Sequence, residues 1–191
     1  RIITLSKSVF LRFFLLGLAL AFTQEPFNIP YCTFLVLPLV PFLAMIFLKS
    51  SKQYLFSGFV FGLGYFGLTF IWIINPFLVD PQKNFWLAPI AYLLFVSTLS
   101  LFWALAFYFS NYLSKDEEQE SKKAFCLSIL FALAELLRCY LFSGFPWAIL
   151  SYGWLDTPVS VFVTWFGPYI LNSIIIIVCF NLFYSSKLNN A

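Results

Sequence analysis

The 191-residue sequence contains no histidine. That absence excludes histidine-based catalytic triads, imidazole metal sites and histidine proton relays. Charge is nearly as scarce: Asp, Glu, Lys and Arg make up 10% of the chain, where a soluble domain carries about 25%. So few charges cannot cover a water-facing surface, which leaves lipid as the solvent for most of the chain. Cysteine is sparse and scattered, at positions 32, 126, 139 and 179, with no C-x-x-C pair and no neighbouring metal ligands. Cys126, Cys139 and Cys179 fall within apolar runs and read as small buried hydrophobes. No metal, cofactor or nucleic-acid partner is expected. The first residue is Arg rather than Met, as in a trimmed chain or a piece of a longer reading frame. What the sequence has instead is apolar bulk. Hydrophobic residues reach 62%, with 27 Phe and six Trp, and the mean hydropathy is +0.91. An integral membrane protein is the expectation.

A spanning helix needs roughly 20 mostly apolar residues to cross a hydrocarbon core of about 30 Å. The pattern predicts an all-α bundle of about six spans, over approximately 8–22, 29–48, 54–74, 85–112, 124–142 and 159–184. Gln24-Glu25-Pro26 separates the first two, Asn75-Pro76 ends the third, and Gly167-Pro168 interrupts the last. The first segment also fits a secretory signal: Arg1, Lys7 and Arg12 precede a short apolar run and Ala19-Leu20-Ala21. With a cytoplasmic N-terminus, nine of the 11 Lys and Arg fall on the cytoplasmic side, leaving Lys83 and Arg138 opposite. Glu25, Asp80 and Asp156 then face outward. The mixed-charge run 115–123 reads as a solvated cytoplasmic connector.

Few residues could carry chemistry. Gly58, Gly62, Gly64 and Gly67 stand among Phe, Leu and Tyr, and the G-x-x-x-G spacing of the first two suits close helix packing. A binding groove opened by their missing side chains is the alternative. Glu135 and Arg138, three residues apart, share a helix face. Ionisable groups at membrane depth are costly and are usually paired or functional. The two read either as a self-neutralising pair or as a site where Arg138 receives a phosphate or carboxylate. Phe145-Pro146-Trp147 and Tyr152 follow in a stretch broken by Gly and Pro. They suggest an outer interfacial turn whose aromatics anchor the chain or line a lipid cavity.

Taken in order, these stretches resemble the apolipoprotein N-acyltransferase family. Glu135-Leu136-Leu137-Arg138, Gly144-Phe145-Pro146-Trp147, Tyr152 and Asp156-Thr157-Pro158 are similar to its E-x-x-R helix end and following turn. The stretch Phe22 to Phe27, the run Gly58 to Phe66 with Trp72-Ile73, and Gly167 and Asn172 match in order as well. Cys139, Ser143 and the segment Ser151-Tyr152-Gly153-Trp154 depart from the pattern, with two glycines moved. The resemblance implies a multi-pass protein of the bacterial inner membrane. The family's reaction takes an acyl chain from a phospholipid donor and transfers it to the α-amine of a diacylglyceryl-cysteine lipoprotein acceptor. A nitrilase-like domain performs it through a cysteine thioester, with a Glu base and a Lys. No stretch of this sequence matches that domain, so no catalytic residue is expected here and the catalytic domain would be a partner or further sequence. The expected role is to hold lipid chains and present them. An inactive truncated remnant, or an independent small lipid-binding or transport protein, are the competing expectations.

Overall fold

The computed structural model describes residues 7–141 and 145–184. Among them the chain is all-helical, with no strand. The helices are α1 (Lys7–Ala21), α2 (Cys32–Val36), α3 (Leu39–Phe47), α4 (Ser51–Thr69), α5 (Pro81–Asn84), α6 (Leu87–Leu113), α7 (Glu120–Tyr140) and α8 (Ser160–Asn181). Two 3-10 segments, Ile71–Leu78 and Leu150–Trp154, complete the order.

Local chemistry sets several boundaries. Ser50 caps α4 by accepting from the Gln53 N–H at 3.4 Å, while Gln53 Oε1 accepts from the Lys49 N–H at 2.6 Å. The second apolar stretch, expected as one helix over 29–48, is two short helices, because Pro38 supplies no N–H for a continuous ladder. The third stretch bends by 49° after Thr69 into the 3-10 segment that holds Pro76. α8 breaks at Gly167, whose φ of 75° suits a residue without a Cβ, immediately before Pro168.

By length and composition, Leu87–Leu113 and Ser160–Asn181 could each cross a membrane, and the bent pair Ser51–Thr69 with Ile71–Leu78 could form a third span. The other expected spans differ for physical reasons. α1 has 15 residues, about 22 Å of helix. The 29–48 stretch is split into α2 and α3, and α7 carries Glu120, Lys122, Lys123, Glu135 and Arg138 along 21 residues.

α4 is the central helix, packed between α1 and α6, while α7 joins α6 to α8. An aromatic core fills the junction. Trp103 stacks on Tyr65 at 4.9 Å and touches Phe61, Phe66 and Phe131 at 4.7–4.8 Å. Large apolar side chains also cover the outside, including Leu94, Leu101, Trp165, Phe166 and Ile170, each at least half exposed. Such a surface suits lipid and would be untenable in water.

Candidate functional site

The site is built on a buried ion pair at the end of α7. Arg138 meets Glu135 in a two-pronged contact: Nε donates to Oε1 at 2.9 Å and one terminal nitrogen donates to Oε2 at 2.7 Å. Both side chains are essentially unexposed, at 0% and 1%. The Trp103 indole N–H donates to Glu135 Oε1 at 2.7 Å. The second terminal nitrogen of Arg138 donates to the main-chain carbonyls of Trp147, at 2.8 Å, and Phe145, at 3.3 Å. The Phe66 ring lies beneath the guanidinium, 5.2 Å from its centroid. Burial of this kind is tolerated where the charges are paired and most of the remaining donors are used, and here four hydrogen bonds engage the five N–H donors of Arg138.

Those carbonyls belong to the turn that follows α7. Its backbone is held from three further sides. The Tyr65 hydroxyl donates to the Ala148 carbonyl at 2.8 Å, the Gln24 amide donates to the Ile149 carbonyl at 3.4 Å, and Asn172 Oδ1 accepts the Leu150 N–H at 2.8 Å. Ala148 sits at φ 57°, a left-handed conformation uncommon for a residue with a Cβ. Gly153 lies so close to the Thr23 carbonyl that a Cβ would collide with it. On one side Tyr31 and Phe34 pack edge-on to Trp154, and on the other Phe145 packs against Phe70 and Phe95.

Between this turn, the 22–28 connector and the bend after α4 lies a cavity of about 840 Å³, within the usual range for small-molecule sites. Leu68, Phe70, Ile71 and Trp72 give it apolar walls. Gln24, Glu25, Asn28, Thr69, Tyr152 and Asp156 supply its polar groups, and Trp147 closes one side. Asn28 Nδ2 donates to Asp156 Oδ2 at 2.8 Å, tying the connector to the loop before α8. Burial pushes the Tyr152 hydroxyl above its ordinary range, with Tyr169 and Cys139 adding to the rise.

The residues singled out from the sequence therefore divide. Trp147 and Tyr152 line the cavity. Glu135 and Arg138 lie beneath the turn, bonded to its backbone, and Phe145 packs into the aromatic cluster. Pro146, partly buried, is not among the lining residues. Gly144 and Ser143 lie outside the described residues. A Cβ on Gly58 would press on Phe107 and the Trp103 carbonyl, and one on Gly62 would press on Ser100. Gly64 faces the α1 backbone at Phe14. Gly67 is different: a Cβ there would meet only the Tyr92 hydroxyl, at 3.6 Å, and the Gly67 carbonyl accepts a bond from that hydroxyl. Gly17, the α1 partner of Gly64, was not singled out because a lone Gly shows no spacing pattern. Gln24, Asn28 and Thr69 were missed because nothing in a linear reading brings the 24–28 stretch beside the end of α4.

Comparison with known proteins adds family to geometry. Residues 16–181 match the model of the apolipoprotein N-acyltransferase N-terminal domain. An apolipoprotein N-acyltransferase of Sinorhizobium fredii is 31% identical over 156 residues, which cover 78% of this chain and 29% of that protein. One from Brucella suis is 32% identical over 158 residues, 76% of this chain and 28% of its own length. One from Caulobacter vibrioides is 30% identical over 146 residues, 72% and 26% respectively. The chain thus spans less than a third of the length of these relatives.

Proposed function

Because the chain belongs to the apolipoprotein N-acyltransferase family, through that family's N-terminal domain, we propose that it is the lipid-handling membrane portion of such an enzyme. In this reading it lies in the inner membrane of a bacterium as a six-pass bundle with a cytoplasmic N-terminus. It holds a phospholipid acyl donor and a diacylglyceryl lipoprotein acceptor for transfer of an acyl chain to the acceptor's α-amine. The bond made is an amide and the bond broken is the phospholipid ester, through a thioester on a nitrilase-like domain. The proposal assigns no catalytic residue to these 191 positions. Cys139 and Cys179 are buried, and neither lines the cavity.

The observation that carries the reading is the cavity beneath the clamped turn. It combines apolar walls with polar lining groups, as an amphiphile requires, and it sits on backbone that Arg138, Tyr65, Gln24 and Asn172 hold in one shape. Trp147 and Tyr152 act as lipid contacts in this scheme, and Glu135 and Arg138 as positioning residues. The glycines at 58, 62 and 64 let α4 approach its neighbours.

The test is complementation. This chain would be co-expressed with a nitrilase-like domain from a relative, in cells depleted of their own N-acyltransferase. Mass spectrometry of a lipoprotein N-terminus should then show the third acyl chain. Failure to acylate while the two proteins co-purify in stable form would overturn the proposal.

A further inference from the structure

A second cavity lies at the opposite end of the bundle and takes no part in the site above. It measures about 560 Å³ and runs between the start of α7 and the close of α8. Its walls are apolar: Phe125 comes from α7, and Val178 and Leu182 come from α8. All three are about half exposed. Asn181, which also lines the groove, bridges the two helices. Its amide nitrogen donates to the Ser128 hydroxyl oxygen at 3.2 Å and to the Ile177 carbonyl at 2.8 Å.

The remaining polar groups gather at one end. Ser121 and Lys122, in the first turn of α7, line the groove, and no Asp or Glu is among its described lining residues. The Lys122 ammonium meets Glu117 of the preceding connector at 3.3 Å, with 59% of the lysine side chain exposed. That contact leaves further donors of the ammonium free. The Ser121 hydroxyl bonds no described residue. Tyr184, just past Asn181, donates its hydroxyl to Met45 Sδ at 3.2 Å, and tyrosine is favoured at the level of lipid headgroups. The groove thus joins a cationic, hydroxyl-bearing rim at headgroup depth to an apolar slot at acyl depth.

We propose that this groove holds a phospholipid of the adjoining leaflet as a bound structural lipid. Its phosphate lies on Lys122 and Ser121, and one acyl chain lies along Phe125, Val178 and Leu182. A phosphate diester is anionic and offers only acceptors at its two free oxygens, which matches an ammonium and a hydroxyl donor. In the orientation proposed above, that leaflet is the cytoplasmic one. The inference goes beyond acyl transfer: this lipid is neither donor nor acceptor, and it ties α7 to α8 at the end remote from the first cavity.

The experiment uses the whole chain in neutral maltoside and counts bound lipid by native mass spectrometry on titration. The probes are dioleoyl phosphatidylglycerol and monogalactosyl dioleoylglycerol, which share their acyl chains and differ in the phosphate. The phospholipid should bind about tenfold more tightly, the scale of one charge-assisted hydrogen bond. The double variant S121A/K122Q should bring that ratio to about twofold or less, with its melting temperature in lipid-free detergent unchanged. Val178→Trp fills the slot and should weaken both lipids together. Lys52→Gln, at the start of α4 and outside the groove, should leave the preference as it was. Equal binding of the two lipids overturns the proposal, as does a preference that survives in S121A/K122Q. A preference lost equally in Lys52→Gln would report general surface charge and also overturns it. So does displacement of the phospholipid by excess inorganic phosphate, which would mark a free-anion site. Complementation reads the opposite end of the bundle, so its failure leaves a positive result here standing. Complementation that succeeds beside equal lipid binding overturns this inference alone.

Discussion

Arg138 has five N–H donors, and four of the contacts around it are hydrogen bonds to Glu135 or to the turn. With a side chain wholly buried, its positive charge depends on the Glu135 carboxylate for compensation. Removing the acid alone leaves that charge stranded. Glu135→Gln should therefore destabilise the fold by about 3–5 kcal/mol, read as a shift in unfolding by denaturing detergent titrated into neutral micelles. Pairing it with Arg138→Met removes the stranded charge and should recover part of the loss. Recovery stays incomplete because the carbonyls of Phe145 and Trp147 lose their donor. A single Glu135→Gln as mild as a surface substitution would mean that the pair is hydrated. Ala148 gives a second test at this scale. At φ 57° and 7% exposed, it has neither the conformational freedom nor the space for a branched side chain. Ala148→Val should cost about 1–3 kcal/mol, whereas Ala148→Gly should be close to neutral. Equal stability of the two variants would show that the turn relaxes to another conformation.

At the level of elements, the crossing of α1 and α4 depends on a pair of missing side chains. Gly17 and Gly64 face one another, and a Cβ on either would meet backbone of the opposite helix. Backbone cannot move aside as a flexible side chain can. Gly64→Leu should separate the helices and cost about 1–3 kcal/mol or more. Gly67→Ala meets only the Tyr92 hydroxyl at ordinary contact distance and should be tolerated. Matched thermal denaturation of the two variants checks this, and a Gly64→Leu protein as stable as Gly67→Ala would show that the crossing is loose. The same contrast marks what was legible in the sequence. The i, i+3 spacing of Glu135 and Arg138 was enough to expect a pair, and Gly, Pro and Trp were enough to expect a turn after α7. Their partners were not legible: Trp103, Tyr65 and Gln24 lie 32, 83 and 125 residues from the groups they bond. Periodicity reports the face of one helix and carries no information on which other helix meets it. Nor did hydropathy separate α2 from α3, because Pro38 interrupts the hydrogen-bond ladder without lowering apolarity.

At the scale of the whole molecule, the question is which end of the bundle faces which compartment. Trp72, just after α4, packs at a tilt against Trp147, and the cavity joins both to Asp156. The bend after α4, the turn after α7 and the loop before α8 therefore share one end. At the other end Asn111 donates to Ser51 at 2.8 Å, which brings the close of α6 beside the start of α4. Lys49, Lys52, Lys115, Lys122 and Lys123 cluster in sequence near that second end, whereas Lys83 follows the bend. Cytoplasmic loops retain Lys and Arg because translocating them is unfavourable, so the proposed orientation places the cavity outward. Cysteine labelling tests this directly. On a background with the four native cysteines replaced by alanine, Lys83→Cys and Lys115→Cys would be exposed to a membrane-impermeant maleimide in spheroplasts. Lys83, whose side chain is 80% exposed, should label in intact spheroplasts, and position 115 only after permeabilisation. The reverse pattern would put the cavity on the cytoplasmic face, away from any lipoprotein that has already crossed the membrane, and would remove the acceptor from the proposed function. Labelling of both positions in intact spheroplasts would mean that the one expected span between them, 85–112, does not cross.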